Sequence, residues 1–253
     1  MSKSIALITG ATSGIGKATA ETLAEKYKLI ICGRRKDRLD ELSDELKAKT
    51  DILTLSFDVR DKNEVEKAIS NLPEIWKNIA VLINNAGNAH GMGLIHEGDT
   101  NDWDAMIDIN VKGLLYVSRQ VIPKMVLAKK GHIINIGSIA GIDVYPRGNV
   151  YNASKYAVDA ISKGMRQDLN EFGIKVSEIK PGLVNTEFSE VRFKGDKAKA
   201  DSVYKGFDPL VAQDIAETIA FVLSRPAHVN IADLLILPTA QATSTLVNKK
   251  IDH

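Results

Sequence analysis

The stretch SIALITGATSGIG, Ser4–Gly16, decides the fold. SIALIT is apolar almost throughout, as a strand buried on both faces must be. It runs directly into TGATSGIG, where Gly10, Gly14 and Gly16 follow a GxxxGxG spacing with Thr12, Ser13 and Ile15 between them. The next residues, GKATAETLAEKY, carry a helical pattern. A strand that ends in a glycine turn and opens a helix can cradle a pyrophosphate. The glycines admit the ligand to the backbone, and the helix N-terminus offers free N–H groups and the positive end of its dipole. Glycine turns also serve simply to join strand to helix. The position of this one after the first strand favours the nucleotide reading.

The same alternation continues outward. KLIIC, DILTLSF, IAVLIN, GHIINIGS, IKVSEIK and ADLLILP read as further strands, and KDRLDELSDELKAK and NEVEKAISNL as helices between them. Alternation of this kind implies right-handed crossovers and a parallel sheet covered on both faces. The expectation is a single doubly wound, Rossmann-type α/β domain over residues 1–253, with about seven strands. The segment EFSEVRFKGDKAKADSVYKG breaks the pattern; residues 187–206 are expected to form an inserted helical lid over the substrate cleft.

Composition narrows the function. The chain has 253 residues, 44% hydrophobic and 26% charged, enough for one well-buried core. A formal net charge of +1 argues against a nucleic-acid partner. Cys32 is the only cysteine, which excludes an intrachain disulfide and a thiolate zinc cluster. The five histidines are scattered without ligand spacing, so no metal is expected. No apolar run reaches membrane-spanning length, and MSKSIALITG lacks a signal-peptide pattern; the cytoplasm is the expected compartment.

The end of the second strand bears on the choice of cofactor. In nucleotide-binding folds this slot touches the adenosine ribose: an acid about 20 residues past the glycine turn takes the 2′-hydroxyl of NAD, and an arginine accommodates the 2′-phosphate of NADP. Here IICGRRKDRL places Gly33, Arg34 and Arg35 in the slot, while Asp37 falls in the first turn of a helix. NADP is therefore expected, against the simpler reading of an exposed charged helix start.

The reactive groups come later. Ser138 closes the fifth strand, and YNASK places Tyr151 and Lys155 four residues apart, on one face of a helix. A phenol ionises near pH 10, and nearby cations favour the phenolate. Bringing it to about 7 takes three units, roughly 4 kcal/mol, within reach of two close cations in a partly dry cleft. Tyr151 then acts as acid and base, and Ser138 holds the substrate oxygen beside it.

TGATSGIG, NNAG (Asn84–Gly87), Ser138, YNASK and PGLVNTEF occur in one order along nearly the whole chain, and in this the sequence resembles the short-chain dehydrogenase/reductase superfamily. The resemblance implies that Tyr151 is the acid/base. It implies that Lys155 holds the nicotinamide ribose and lowers the phenol's pKa, and that Ser138 orients substrate. It further implies that Asn110, in MIDINVKG, completes a tetrad through a bound water. By the same resemblance Asp58 and Val59 lie at the adenine and Asn85 on the cofactor side. The loop Pro181–Phe188, with Gly182, Val184 and Thr186, lies under the nicotinamide carboxamide. A homotetramer built on the helices around 102–129 and 149–172 is implied as well.

Within that family, SNLPEIWKNIAVLINNAG, GNAHGMG, RGNVYNASK, EFSEVRFKGDKAKA and RPAHVNIADLLILPTAQAT are similar to the NADP-dependent 3-hydroxy acid dehydrogenases, also called serine or allo-threonine dehydrogenases. Arg147 departs from the small residue expected in its loop. The implied substrate is a small 3-hydroxy acid or the matching semialdehyde or 3-oxo acid. Other carbonyl substrates (sugars, ketones, acyl thioesters) and a non-catalytic NADP sensor are the alternatives. An acid substrate calls for a cation at its carboxylate. Arg192 is the first candidate and Arg147 the second. Against them stands the reading of Arg192, Lys194, Lys197 and Lys199 as a solvated basic face.

Overall fold

Alternate residues of the first strand enter two different cores. In β1 (Ser4–Thr9), Ile5 and Leu7 pack on one face of the sheet and Ala6 and Ile8 on the other. β2 (Tyr27–Gly33) repeats the pattern, with Ile30 and Cys32 on the first face and Leu29 and Ile31 on the second. This period of two, apolar in both phases, requires cover on both sides. The computed structural model describes residues 3–250; the outermost residues of the expected 1–253 domain, 1, 2 and 251–253, lie outside the described residues.

The cover comes from the crossovers. α1 (Gly14–Leu23), α2 (Lys36–Leu46) and α9 (Ala212–Leu223) pack on one face. α3 (Lys62–Ser70), α5 (Leu114–Ala128) and α6 (Asn149–Asp168) pack on the other. The remaining strands of the sheet are β3 (Ile52–Ser56), β4 (Ile79–Asn84), β5 (Gly131–Ile136), β6 (Ile174–Pro181) and β9 (Asp233–Ile236). All seven are parallel in the order β3-β2-β1-β4-β5-β6-β9. The chain winds outward from β1 in one direction, returns, and winds outward from β4 in the other. This reversal opens a crevice at the carboxyl ends of β1 and β4.

Two local departures from the sequence reading, and the helical insert it expected, shape that crevice. β5 stops at Ile136 rather than at Ser138; Gly137 turns its N–H to Ile179, and Ser138 caps a single 3-10 turn, Ile139–Gly141. Asn110 lies in a π-helical turn, Asp108–Gly113, between α4 (Thr100–Ile107) and α5. The polar segment after β6 forms two short helices, α7 (Phe188–Arg192) and α8 (Lys197–Ser202). A small parallel pair, β7 (Val184–Asn185) with β8 (Leu210–Val211), brackets them.

Candidate active site

At the head of α1, Gly10 and Gly14 have φ of 66° and 51°, the left-handed region that glycine enters without strain. A Cβ on Gly16 would collide with the Gly10 carbonyl and the Asn85 amide, so the turn closes only around a bare backbone. Asn85 fastens the turn to β4, donating from Nδ2 to the carbonyls of Thr9 (2.9 Å) and Gly10 (3.2 Å). Asp61, by contrast, accepts from two backbone amides at the start of α3. Ser13, in the equivalent place, makes no side-chain bond to the first turn of α1. That turn therefore points uncapped donors into the crevice, as an anion site requires.

The crevice is a cavity of about 530 Å³. Its walls include Gly10, Thr12, Ser13, Gly14 and Ile15 from the turn, Arg34 and Arg35 after β2, and Asp58, Val59 and Asn85 after β3 and β4. Ser138, Tyr151 and Lys155 also line it, together with Pro181, Gly182, Val184 and Thr186 from the loop after β6. Thr186 stands so near the turn that a Cβ on Gly14 would lie 3.3 Å from it. Bare glycines, uncapped amides and a cation at the far end are the features a phosphorylated dinucleotide requires, so the residues present fit NADP.

The two arginines are not equivalent. Arg35 folds back on the turn, donating to the hydroxyls of Thr12 (3.2 and 2.9 Å) and Ser13 (2.9 Å) and to Glu187. Arg34 stays 57% exposed and, among the described residues, pairs only with Asp58, at 3.7 Å. Asp58 is held principally by Arg60.

Tyr151 and Lys155 share one face of α6. The Lys155 ammonium donates to the Ile136 carbonyl at 2.9 Å and lies 6.0 Å from the centre of the Tyr151 ring. Burial lowers the pKa of Lys155 to about 8, with the Glu178 carboxylate opposing that shift. Burial also pushes the Tyr151 phenol well above its ordinary value. Tyr145 adds to the rise, while Ser138 and Arg192 pull the other way. The depressed phenol expected from sequence is thus not built into the chain alone, where desolvation dominates. Ser138 accepts from the Ala140 amide (3.1 Å), which fixes its side chain at the cavity wall.

Asn110 is buried just behind this set. Its side chain bonds both backbone groups of Asn88 (2.9 and 2.8 Å) and the Ser154 hydroxyl (3.0 Å). A Cβ on Gly87 would sit 2.9 Å from the Asn110 amide oxygen and 3.7 Å from the lysine nitrogen, so only glycine lets these groups approach.

Arg192 reaches in from α7. Its guanidinium donates to the Tyr145 hydroxyl at 2.6 Å and lies 5.4 Å from the Tyr151 ring centre. Its Nε is buried without a hydrogen-bond partner among the described residues. A side cavity of about 220 Å³ next to Tyr151 is lined by Arg192 and Arg147, together with His90, Asp102 and Trp103. Arg147 is exposed, has a left-handed φ of 65°, and reaches only this side cavity. The lysines differ among themselves. Lys194 pairs with Asp102 (2.9 Å), tying the segment after α7 to α4, whereas Lys199 bonds within its own helix start, at Asp196. The sequence reading missed Tyr145, Glu187 and Gln241, all on the cavity wall. Gln241 accepts from the Leu183 amide and braces the loop after β6, a contact between residues 58 positions apart that no local pattern marks.

A family model for short chain dehydrogenases matches residues 4–197. The NADP-dependent 3-hydroxy acid dehydrogenase YdfG of Salmonella typhi is 45% identical over 244 residues, covering 96% of this chain and 98% of that protein. Sulfoacetaldehyde reductase 2 of Chromohalobacter salexigens is 43% identical, covering 95% and 96%. The closed form of a serine dehydrogenase complexed with NADP+ superposes with a TM-score of 0.91 at 44% identity, covering 98% of this chain and 99% of that one.

Proposed function

The chain belongs to the short chain dehydrogenase family, and from that premise we propose that it transfers hydride between NADP(H) and a small 3-hydroxy acid. Serine, allo-threonine and 3-hydroxypropionate exemplify the alcohol; the semialdehyde or 3-oxo acid is its oxidised partner. The observation that carries the reading is the Arg192 guanidinium 5.4 Å over the ring of Tyr151, with a buried Nε that has no partner. A forked cation beside the proposed acid/base suits a substrate whose carboxylate lies close to the reacting carbon.

In the reducing direction, Tyr151 donates its proton to the carbonyl oxygen while Ser138 hydrogen-bonds the same oxygen. The raised phenol pKa keeps that proton in place until it is needed. In oxidation, Tyr151 takes the hydroxyl proton, and Lys155 favours the resulting phenolate. When bound, NADP+ would supply the hydride acceptor and a positive charge that adds to those of Lys155 and Arg192. Asn110 holds the Asn88 backbone and Ser154 in place behind the lysine. Residues 187–206 act as a lid that carries Arg192 over the cleft and excludes water.

A second reading keeps the chemistry and changes the anion. The relation to a sulfoacetaldehyde reductase favours an aldehyde bearing a sulfonate. A non-catalytic NADP sensor has no need of a buried phenol and lysine on one helix face. A steady-state screen of hydroxy acids, their sulfonate counterparts and uncharged alcohols, with both coenzymes, tests the proposal. Acid substrates with NADP should lead; uncharged alcohols turned over as well as hydroxy acids would overturn it.

The family resemblance and the exposed Leu115, Leu127 and Tyr156 on α5 and α6 support a homotetramer, which light scattering checks. The cytoplasm, where nicotinamide coenzymes are regenerated, is the compartment we propose. Among the described residues no helix is long and apolar enough to cross a membrane.

A further inference from the structure

Arg35, on the cavity wall, and Arg38, in the first turn of α2, already hold an anion. Glu187, the residue that leads into α7, receives Arg35 on Oε2 at 3.1 Å. It receives Arg38 on both oxygens, at 2.7 and 3.0 Å. Arg35 is close to saturated: three of its contacts go to Thr12 and Ser13 and one to Glu187, which leaves one of its five N–H groups. The contacts to Thr12 and Ser13 hold the glycine turn together. The contact to Glu187 crosses the cavity from a separate element, 152 residues away in sequence, and is the one that exchanges without disturbing the turn. Glu187 itself is on the cavity wall and about as exposed as its partners, at 44% against 40% and 39%. Burial would raise its pKa, but Arg38 and Arg35 hold its carboxyl below the ordinary range, so it is a full negative charge at neutral pH.

We propose that Glu187 is the resident counter-anion of the 2′-phosphate site and a determinant of coenzyme discrimination. A 2′-phosphate binds by exchanging with the Glu187 carboxylate on Arg35 and Arg38, whereas a nucleotide with a free 2′-hydroxyl leaves that clasp in place. This rests on the NADP reading. The physical basis is competition: a carboxylate and a phosphate monoester present similar oxygen pairs to the same guanidinium forks. Without any anion, two arginines three positions apart at the start of α2 would repel each other. Glu187 removes that repulsion in the free protein and opposes the phosphate in the complex. The exchange also releases the first residue of the 187–206 segment from α2, so a 2′-phosphate and Arg192 are linked through α7.

Adenosine 2′,5′-bisphosphate and AMP carry the relevant groups without the reactive ring, so calorimetric titration reads binding rather than turnover. Two partly exposed ion pairs are at stake. Glu187→Gln should therefore tighten the bisphosphate by about 3- to 30-fold and leave AMP within about twofold. An unchanged or weakened bisphosphate, or equal tightening of both nucleotides, would overturn the proposal. Wild-type protein that binds the two nucleotides alike would overturn the NADP reading itself, and the proposal with it.

Discussion

Tyr151 and the arginines after β2 show how much a side chain's role depends on what surrounds it. As the proposed acid/base, Tyr151 contributes only its hydroxyl to the reaction. Tyr151→Phe should lower kcat by about 100- to 10,000-fold and leave NADP(H) affinity near wild type; a variant that keeps most of its activity would remove the phenol from the chemistry. Because burial raises the phenol's pKa, the proton is held in the free protein, and the oxidation rate should climb with pH while the reduction rate falls. The sequence offers Arg34 and Arg35 as a matched pair. The structure separates them, since one is exposed and nearly unengaged and the other is folded into the glycine turn. Arg34→Ala should weaken NADP roughly 10- to 150-fold, the value of one charge-assisted contact, with little effect on NAD. Arg35→Ala should weaken both coenzymes, because it also releases Thr12 and Ser13. Titrations with the two coenzymes distinguish these outcomes, and equal behaviour of the two variants would return the arginines to one role.

At the scale of elements, two short irregular pieces, α7 and the turn before α5, set side chains at or just behind the cavity wall. α7 is only five residues long, too short to stand by propensity, and is held by contacts at both ends. The Gly91 amide donates to the Arg192 carbonyl at 2.9 Å, and Tyr204 joins the Ser189 hydroxyl (2.7 Å) to the Val184 carbonyl (2.8 Å). These ties set Arg192 over Tyr151. If Arg192 takes the substrate carboxylate, Arg192→Leu should raise KM for a hydroxy acid roughly 10- to 150-fold and spare an uncharged alcohol of similar size. A loss shared by both substrates would leave Arg192 as a support of α7 alone, and a charge-dependent loss confined to Arg147→Leu would move the carboxylate to the side cavity. The π-helical turn at Asp108–Gly113 is the second piece. Extra residues in a helical turn redirect the side chains within it, and such turns recur at functional sites. No propensity marks one in MIDINVKG, so Asn110 read only as an asparagine in a helix until a family resemblance singled it out.

For the whole molecule, burial of polar groups inside the sheet links stability to pH. His132 of β5 is 5% exposed, lies 2.9 Å from the Ser177 hydroxyl, and has a pKa lowered to about 3 by burial, with Lys175 adding to the shift. The unfolded chain protonates this histidine near pH 6.5, and the native state does not until about 3. Its contribution is therefore fully present above about pH 6.5 and drains away as the pH falls toward 3, by about 2 kcal/mol between pH 7 and 5. Urea unfolding of His132→Gln should show a fall between those pH values smaller by about that amount; an equal fall in both proteins would contradict the assignment. Nearby, Lys180 lies between the carboxylates of Asp159 (2.8 Å), Glu178 (3.4 Å) and Asp233 (2.6 Å) and fills a cluster that would otherwise be an acidic pocket. The seven-stranded parallel sheet and the glycine turn are legible in the sequence, and so are Ser138, Tyr151 and Lys155, which the fold brings to one cavity. Each of these is written in a short window, as a run of apolar residues, a glycine spacing or a pair at one helical turn. Tertiary structure alone decided that Arg35 braces the turn while Arg34 stays open, that Glu187 meets Arg35 and Arg38, and that Arg192 stacks over Tyr151. These contacts join residues 23 to 152 positions apart, and which distant groups meet is set by how the layers pack, a property no local pattern carries.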